Sequence, residues 1–447
     1  MIESIYLILL FFIAWFEIGR NKPYKIDFLT LFHIYYALLY PLPGLVLAID
    51  YQNAVSPLGL RVASYSNNIQ TSVAVVIGYF VILFGFYSKL AINFGKNIII
   101  NARKNDSIFI DYVIFLLVIG ALSIYIYGLQ YGGVLIAIAQ NSMIRARAVE
   151  GGNLVFFSRL TMYSVFSSYL LCSFVFIKKH KKISIWGIAL FLLSLLTAIV
   201  AVLLTGSRAA FVFYFLTYYY VYLIRCKRIP WLSSITLLCC ACLFLFYGKS
   251  LFYSLSAITQ GVDAALDLAS NALEDNQEFT FYNFVHNFQH PIFSLDVALS
   301  NKHDLRWFSD FIYAVINLLP NRLTGTDEIR TILSYNSEYI IGRNDFAIPL
   351  GLLAFGIYSL WWPGLVIICF VYGWIGRCLQ NILAKHMNEI FWMPFFYIIV
   401  AQMWISFMSS DPETFTQTDI SYFTGSILLV LIACKVNLKH KLKSNGA

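Results

Sequence analysis

A chain of 447 residues that is 60% hydrophobic and 12% charged, with a mean hydropathy of +0.72, is not a soluble globular protein. The net charge of +8 raises a nucleic-acid partner as a question, but the cations lie in short segments between apolar runs, where membrane orientation accounts for them. No GxxxxGK[ST] phosphate loop is present, so ATP is not the evident energy source. The composition predicts an all-α, polytopic integral membrane protein.

The first apolar run, 5–16, is followed by Glu17, Gly19 and Arg20 with no small-residue cleavage site, and reads as a retained span. At about 20 apolar residues per crossing, the chain offers eleven candidate spans: 2–18, 28–49, 71–94, 108–129, 154–177, 183–204, 209–224, 231–252, 347–375, 391–408 and 420–434. Every second connection is basic, and these hold 20 of the 31 Lys and Arg residues. The positive-inside rule makes them cytoplasmic, which puts the N-terminus outside and the C-terminus inside.

In chain order, Tyr40-Pro41-Leu42-Pro43-Gly44 reads as an outer turn. The apolar piece 134–139 is too short to cross and leads to Arg145 and Arg147. Thr205-Gly206-Ser207-Arg208 is a polar turn between two spans, facing outward. The following span is dense in tyrosine (Tyr214, Tyr218, Tyr219, Tyr220, Tyr222), which reads as packing and an aromatic belt. Residues 254–345 form one large outer loop between spans eight and nine. Within it, 307–319 keeps helical apolar spacing around Asp310 and reads as an amphipathic surface helix ended by Pro320. A thirteen-span alternative would bury Asp310. Pro349 and Gly351 predict a broken or tilted entry into the ninth span. The last outer connection, 409–419, is acidic. The eight cysteines fall in spans or at their inner ends, so no outer disulfide framework or metal spacing is expected, and Cys239, Cys240 and Cys242 read as small packing residues.

The two faces differ in the kind of cation they carry. The inner set is 15 Lys and 5 Arg, whereas the outer set is 9 Arg and 2 Lys. Orientation does not distinguish the two residues, but phosphate and carboxylate recognition does, because guanidinium presents a planar fork of donors. Ser207 suits an N-cap, and the helix it opens points its positive end outward. Arg208 in that first turn opposes the dipole. That placement is accounted for by an anion held between them, or by an arginine snorkelling from a tight hairpin. With Arg145, Arg147, Arg330 and Arg343 on the same face, the reading is a lipid-phosphate substrate.

The Gly206-Ser207-Arg208 turn, the long outer loop late in the chain and the Pro349-x-Gly351-x(4)-Gly356 re-entry resemble the Wzy-type O-antigen and capsular polysaccharide polymerases. The resemblance implies a single membrane domain over 1–447 in the bacterial cytoplasmic membrane, working at its outer, periplasmic face. It implies glycan transfer from undecaprenyl pyrophosphate to a sugar hydroxyl of another lipid-linked repeat, without cofactor, metal or nucleic acid. The partners implied are lipid-linked oligosaccharides, membrane lipids, a flippase and a Wzz-type chain-length regulator. In that frame Ser207, Arg208, Arg145, Arg147, Arg330 and Arg343 would bind the departing pyrophosphate. The base for the acceptor hydroxyl would come from His286, His290, Glu338 or Asp345. His286-Asn287 lacks the glycines that follow it in the related O-antigen ligases, and no glycine follows Arg330 or Arg343 at the spacing seen in some polymerases. A ligase-like transferase and a lipid-linked oligosaccharide flippase are the alternatives. The latter would be expected to show internal repeats, which this chain lacks.

Overall fold

The computed structural model describes residues 1–49, 68–102, 106–141, 144, 154–178, 184–226, 230–274, 285, 288–318, 331–342 and 348–438. Among them, eight helices are long and apolar enough to cross a bilayer, as a polytopic and almost wholly helical membrane protein requires. The first is α1 (Ile2–Gly19). The next crossing, Phe28–Ile49, is made by α2 (Phe28–Leu39) and α3 (Pro41–Ile49). Asp27 opens α2 by accepting the Thr30 amide. The expected turn after Tyr40 is instead a break inside this crossing. Tyr40 leaves helical geometry (φ −122°, ψ −73°), and Pro41 restarts the helix at a position where its missing N–H would be unpaired anyway.

Helices α4 (Ile69–Tyr87), the amphipathic α5 (Lys89–Asn97), α6 (Asp106–Gln130) and the short α7 (Val134–Ala139) follow. The crossing Phe156–Ile177 is assembled from α8 (Val155–Leu160), α9 (Tyr163–Cys172) and a π-helical turn. Then come α10 (Ile185–Leu204), α11 (Arg208–Arg225) and α12 (Trp231–Ser254). Tyr214 and Tyr218 of α11 serve packing, as expected, whereas Tyr222 is exposed. Tyr214 is buried, and its hydroxyl lies 3.1 Å from both Ser168 Oγ on α9 and Tyr218 Oη. Cys239 and Cys240 on α12 are exposed, contrary to the packing role expected for them.

The all-α expectation needs one amendment. Strand β1 (Ile98–Ala102) pairs antiparallel with β2 (Cys434–Leu438), with Ala102 opposite Cys434. Three consecutive isoleucines, Ile98 to Ile100, favour extended backbone there. The Ile100 amide also donates to His386 Nε2 at 3.2 Å, so the chain leaving α17 (Leu352–Ala384) reaches the same end. From this sheet end α6 runs away. Beyond α7, Asn141 Nδ2 donates to the Leu203 carbonyl at 2.6 Å. The 205–208 turn therefore marks the opposite end of the bundle. The last helices, α18 (Met393–Ser409) and α19 (Pro412–Ala433), meet at that turn end, because α19 finishes in β2.

Part of the segment expected as one hydrophilic loop is folded into the bundle. It holds α13 (Val262–Glu274), α14 (His290–Ser300), α15 (Asp310–Ile316) and α16 (Ile332–Ile341). Helix α14 is buried from Pro291 through Leu299, and its Asp296 accepts the Thr71 hydroxyl of α4 at 2.7 Å. The amphipathic helix expected over 307–319 is confined to α15, and Asp310 is 2% exposed where it was expected at a surface. The expected acidic connection 409–419 is mostly helix. Asp411 accepts the Glu413 and Thr414 amides, Pro412 takes the first turn, and two polar turns follow that hydropathy alone reads as loop.

The break in the long run before 375 falls later than Pro349 and Gly351 predicted. Helix α17 leaves helical geometry at Leu360 and Trp361, and Gly356 then lies against Gly364 so closely that a Cβ on either would overlap the other strand of the hairpin. Eight residues of straight helix would separate them by about 12 Å. Residues 352–359 thus fold back on 364–384 as a re-entrant half-helix. Its buried start is capped by Tyr40, whose hydroxyl lies 3.4 Å from the Leu353 amide and donates to the Met408 carbonyl at 3.2 Å.

Candidate functional site

The tip of this hairpin supports a cavity of about 340 Å³ at the turn end. The chain leaving α14 crosses the tip as an extended piece. The Arg306 amide donates to the Tyr358 carbonyl at 3.2 Å, and the Trp307 amide to that of Ser359 at 2.9 Å. Among the described residues, the only non-glycine residues with positive φ are Trp307 (52°), Phe308 (57°) and Trp361 (60°), all at this crossing. Such conformations cost of order 1–3 kcal/mol each and gather where function over-determines the backbone.

Three tyrosines, a histidine, a carboxylate and a guanidinium line the cavity: Tyr313, Tyr335, Tyr358, His303, Asp304 and Arg306. Arg306 is held as a fork on Asp310, with Nε to Oδ2 at 2.6 Å and Nη2 to Oδ1 at 2.8 Å. The same Oδ1 accepts the Ile332 amide at 2.9 Å, so Asp310 also fixes the start of α16. The guanidinium lies 4.8 Å over the Tyr335 ring and 5.9 Å from that of Tyr313. Burial works against its charge, and the Asp310 carboxylate outweighs burial, leaving Arg306 above the ordinary guanidinium range. His303 packs its ring 4.6 Å from Tyr358 and 5.1 Å from Trp361, with Nε2 3.1 Å from the Ala298 carbonyl. Burial holds it below the ordinary histidine range, so it is neutral at pH 7. Aromatic faces with one carboxylate and one already paired guanidinium suit a hydroxylated ring better than a bare polyanion.

The described residues among those singled out from sequence, Ser207, Arg208, His290 and Glu338, share this end of the bundle but do not converge on the cavity. Ser207 caps α11 by accepting the Ala210 amide at 3.3 Å. Gly206 (φ 60°) turns the chain against Asn141. The Arg208 stem packs on Gly248 of α12. His290, first residue of α14, places Nε2 3.3 Å from the Ser409 carbonyl, about 15 Å of helix from the cavity end of α14. Glu338 is exposed on α16, one turn beyond Tyr335, and is the described base candidate nearest the lining. His286, Asp345, Arg145, Arg147, Arg330 and Arg343 lie outside the described residues. Sequence reasoning passed over His303, Asp304 and Arg306. Their signal was local: a His-Asp-x-Arg cluster beside a tryptophan, in a segment treated as loop. No protein-family model matches this chain, nor does any curated protein or solved structure.

Proposed function

We propose that the chain is a membrane glycosyltransferase of the Wzy type, joining lipid-linked oligosaccharide repeat units into O-antigen or capsular polysaccharide. The observation that carries this reading is the sugar-sized cavity at the hairpin tip, lined by aromatic rings, Asp304, His303 and Arg306 at the same end of the bundle as Ser207 and Arg208. The donor is an oligosaccharide on undecaprenyl pyrophosphate. Its anomeric bond is already activated, so catalysis needs charge stabilisation on the leaving pyrophosphate and an acceptor for the incoming hydroxyl's proton. Arg208, with Arg145, Arg147, Arg330 and Arg343, supplies the first. His286, His290, Glu338 and Asp345 are the sequence candidates for the second.

Orientation follows from charge. Arg20, Lys22, Lys178 and Lys385 lie at the sheet end, so the positive-inside rule assigns that end to the cytoplasm of a bacterial inner membrane and the cavity to the periplasm. Counting α11, α12 and α18 with the eight longer or more apolar helices gives eleven crossings, with the N-terminus outside. A flippase delivering the donor and a chain-length regulator are the partners this reaction requires. Deletion of the gene should abolish long polymer on a glycan gel while single repeats remain attached to their final acceptor. Accumulated polymer that is never transferred would indicate a ligase, and an unchanged ladder would refute the transferase reading.

A further inference from the structure

The first two turns of α19 carry a carboxylate into the helical bundle. Asp419 lies two turns inside a 22-residue membrane helix. Its Oδ2 accepts Ser406 Oγ of α18 at 2.7 Å and, more weakly, Thr418 Oγ1 at 3.4 Å. Among the described residues, no hydrogen bond or ion pair engages Oδ1. One turn along α18 from Ser406, Gln402 exchanges hydrogen bonds with Thr217 of α11, at 2.9 and 3.1 Å. Gln402, Ser406 and Asp419 keep partial exposure, while Trp404, Ile405 and Met408 beside them are buried. We read the partly open space between these polar groups of α18 and α19 as a crevice. Tyr35 of α2, its ring 5.8 Å from Phe213 of α11, is within electrostatic reach of Asp419, and so is Tyr422. On the flank towards α8, Arg159 is within reach of Glu413.

A structural role does not need this charge, since an asparagine would accept the Ser406 hydroxyl equally well. A carboxylate inside a membrane helix is costly and marks a functional position unless it is paired. The lining also identifies the ligand chemistry. Carboxylate, amide and hydroxyls between tyrosine and phenylalanine rings match the hydroxyls and apolar faces of a sugar. The crevice and the hairpin cavity share a wall. Phe311 of α15 stacks on Phe407, the neighbour of Ser406 (6.0 Å, 16°), and Phe407 meets Phe415 of α19 at 5.2 Å. Tyr313, two residues on in α15, lines the cavity.

Resting on the transferase reading, we propose that this crevice seats the acceptor glycan and that Asp419 Oδ1 takes the hydrogen bond, and during transfer the proton, of the attacking hydroxyl. The hydroxyl oxygen bonds to the donor's anomeric carbon. The bond from that carbon to the pyrophosphate oxygen breaks, its electron pair leaves with polyprenyl pyrophosphate, and the proton passes to the carboxylate.

Asp419→Asn keeps the volume and the Ser406 contact, so membrane abundance and melting temperature should match wild type. Long polymer should fall at least about 100-fold, the low end of a general base's contribution. Wild-type polymer in this variant, in a strain where gene deletion abolishes polymer, overturns the role of Asp419 and leaves the transferase reading standing. If deletion itself leaves polymer intact, the transferase reading fails first. A second measurement does not depend on turnover. Dicyclohexylcarbodiimide should modify Asp419 in the purified protein, read by mass spectrometry. A lipid extract of the producing strain should slow that modification, and the same extract after mild acid, which cleaves sugar pyrophosphates, should not. Equal labelling with both extracts overturns the seating of a glycan in the crevice.

Discussion

At the scale of single residues, Arg306 and Asp310 decide whether the cavity exists. Asp310 is 2% exposed and satisfies three partners: both arms of the guanidinium and the Ile332 amide. Arg306→Ala strands that carboxylate and should cost about 3 kcal/mol. Arg306→Lys keeps the charge but loses the fork and its stacking on Tyr335, and should cost about 2 kcal/mol. Thermal unfolding in detergent measures both, and equal stability of Arg306→Ala and wild type would mean the pair does not hold the site. His303 adds a pH signature. Its folded pKa is depressed by burial, so the unfolded chain takes up the proton first as pH falls. The stability His303 contributes is complete above about pH 6.5, its ordinary value, and is lost below it. His303→Gln should therefore flatten the decline of melting temperature as pH falls below about 6.5. An unchanged slope would show that the ring titrates normally. Ser207 was readable as a cap because serine before an alanine-rich first turn has one obvious partner, the Ala210 amide. Arg306 was not, because its partner is set by a backbone crossing that no spacing rule encodes.

At the scale of elements, apolar length located the membrane helices well, since burial in lipid demands it of each helix separately. It failed where neighbouring protein replaces lipid. Helix α14 is buried although its flanks are polar, and α19 begins with polar turns that face a crevice. The re-entrant hairpin was half legible. Pro349 and Gly351 announced irregular backbone, but hydropathy does not change when an apolar helix doubles back, so 347–375 read as one span. Its packing depends on Gly356 and Gly364, each of which would overlap the opposing segment if it carried a Cβ. Gly364→Ala should force the half-helix off 364–384, at about 1–3 kcal/mol for overpacking. The same shift moves Tyr358 and Ser359, the carbonyl partners of Arg306 and Trp307, so transfer should fall with stability. A Gly364→Ala protein with wild-type melting temperature and polymer length would show that the hairpin tolerates separation and that the cavity is not built on it.

At the scale of the whole molecule, the pairing of β1 with β2 was invisible to sequence, because two five-residue strands more than 300 residues apart carry no mutual signal. It ties the connection after α5 to the end of α19, and so fixes that an even number of crossings separates them. Cys434 stands opposite Ala102 in the register, which makes the pairing testable with one substitution. Ala102→Cys should form a disulfide with Cys434 under mild oxidation, since directly opposed antiparallel residues hold their Cα atoms about 4.5–5.5 Å apart, inside the range of about 4.4–6.8 Å that a disulfide spans. Absence of that cross-link would remove the constraint on parity. Which end faces outward rests on charge alone, and two further cysteines decide it. Lys302 is exposed beside the cavity, and Asn21 is exposed near the sheet end, where Tyr24 donates to the Ala384 carbonyl at 2.9 Å. A membrane-impermeant maleimide should label Lys302→Cys in intact spheroplasts and Asn21→Cys only after lysis. The reverse pattern would place the cavity in the cytoplasm. Polyprenyl-linked repeats that have already crossed the membrane could not then reach it, and the polymerase reading would fall with the orientation.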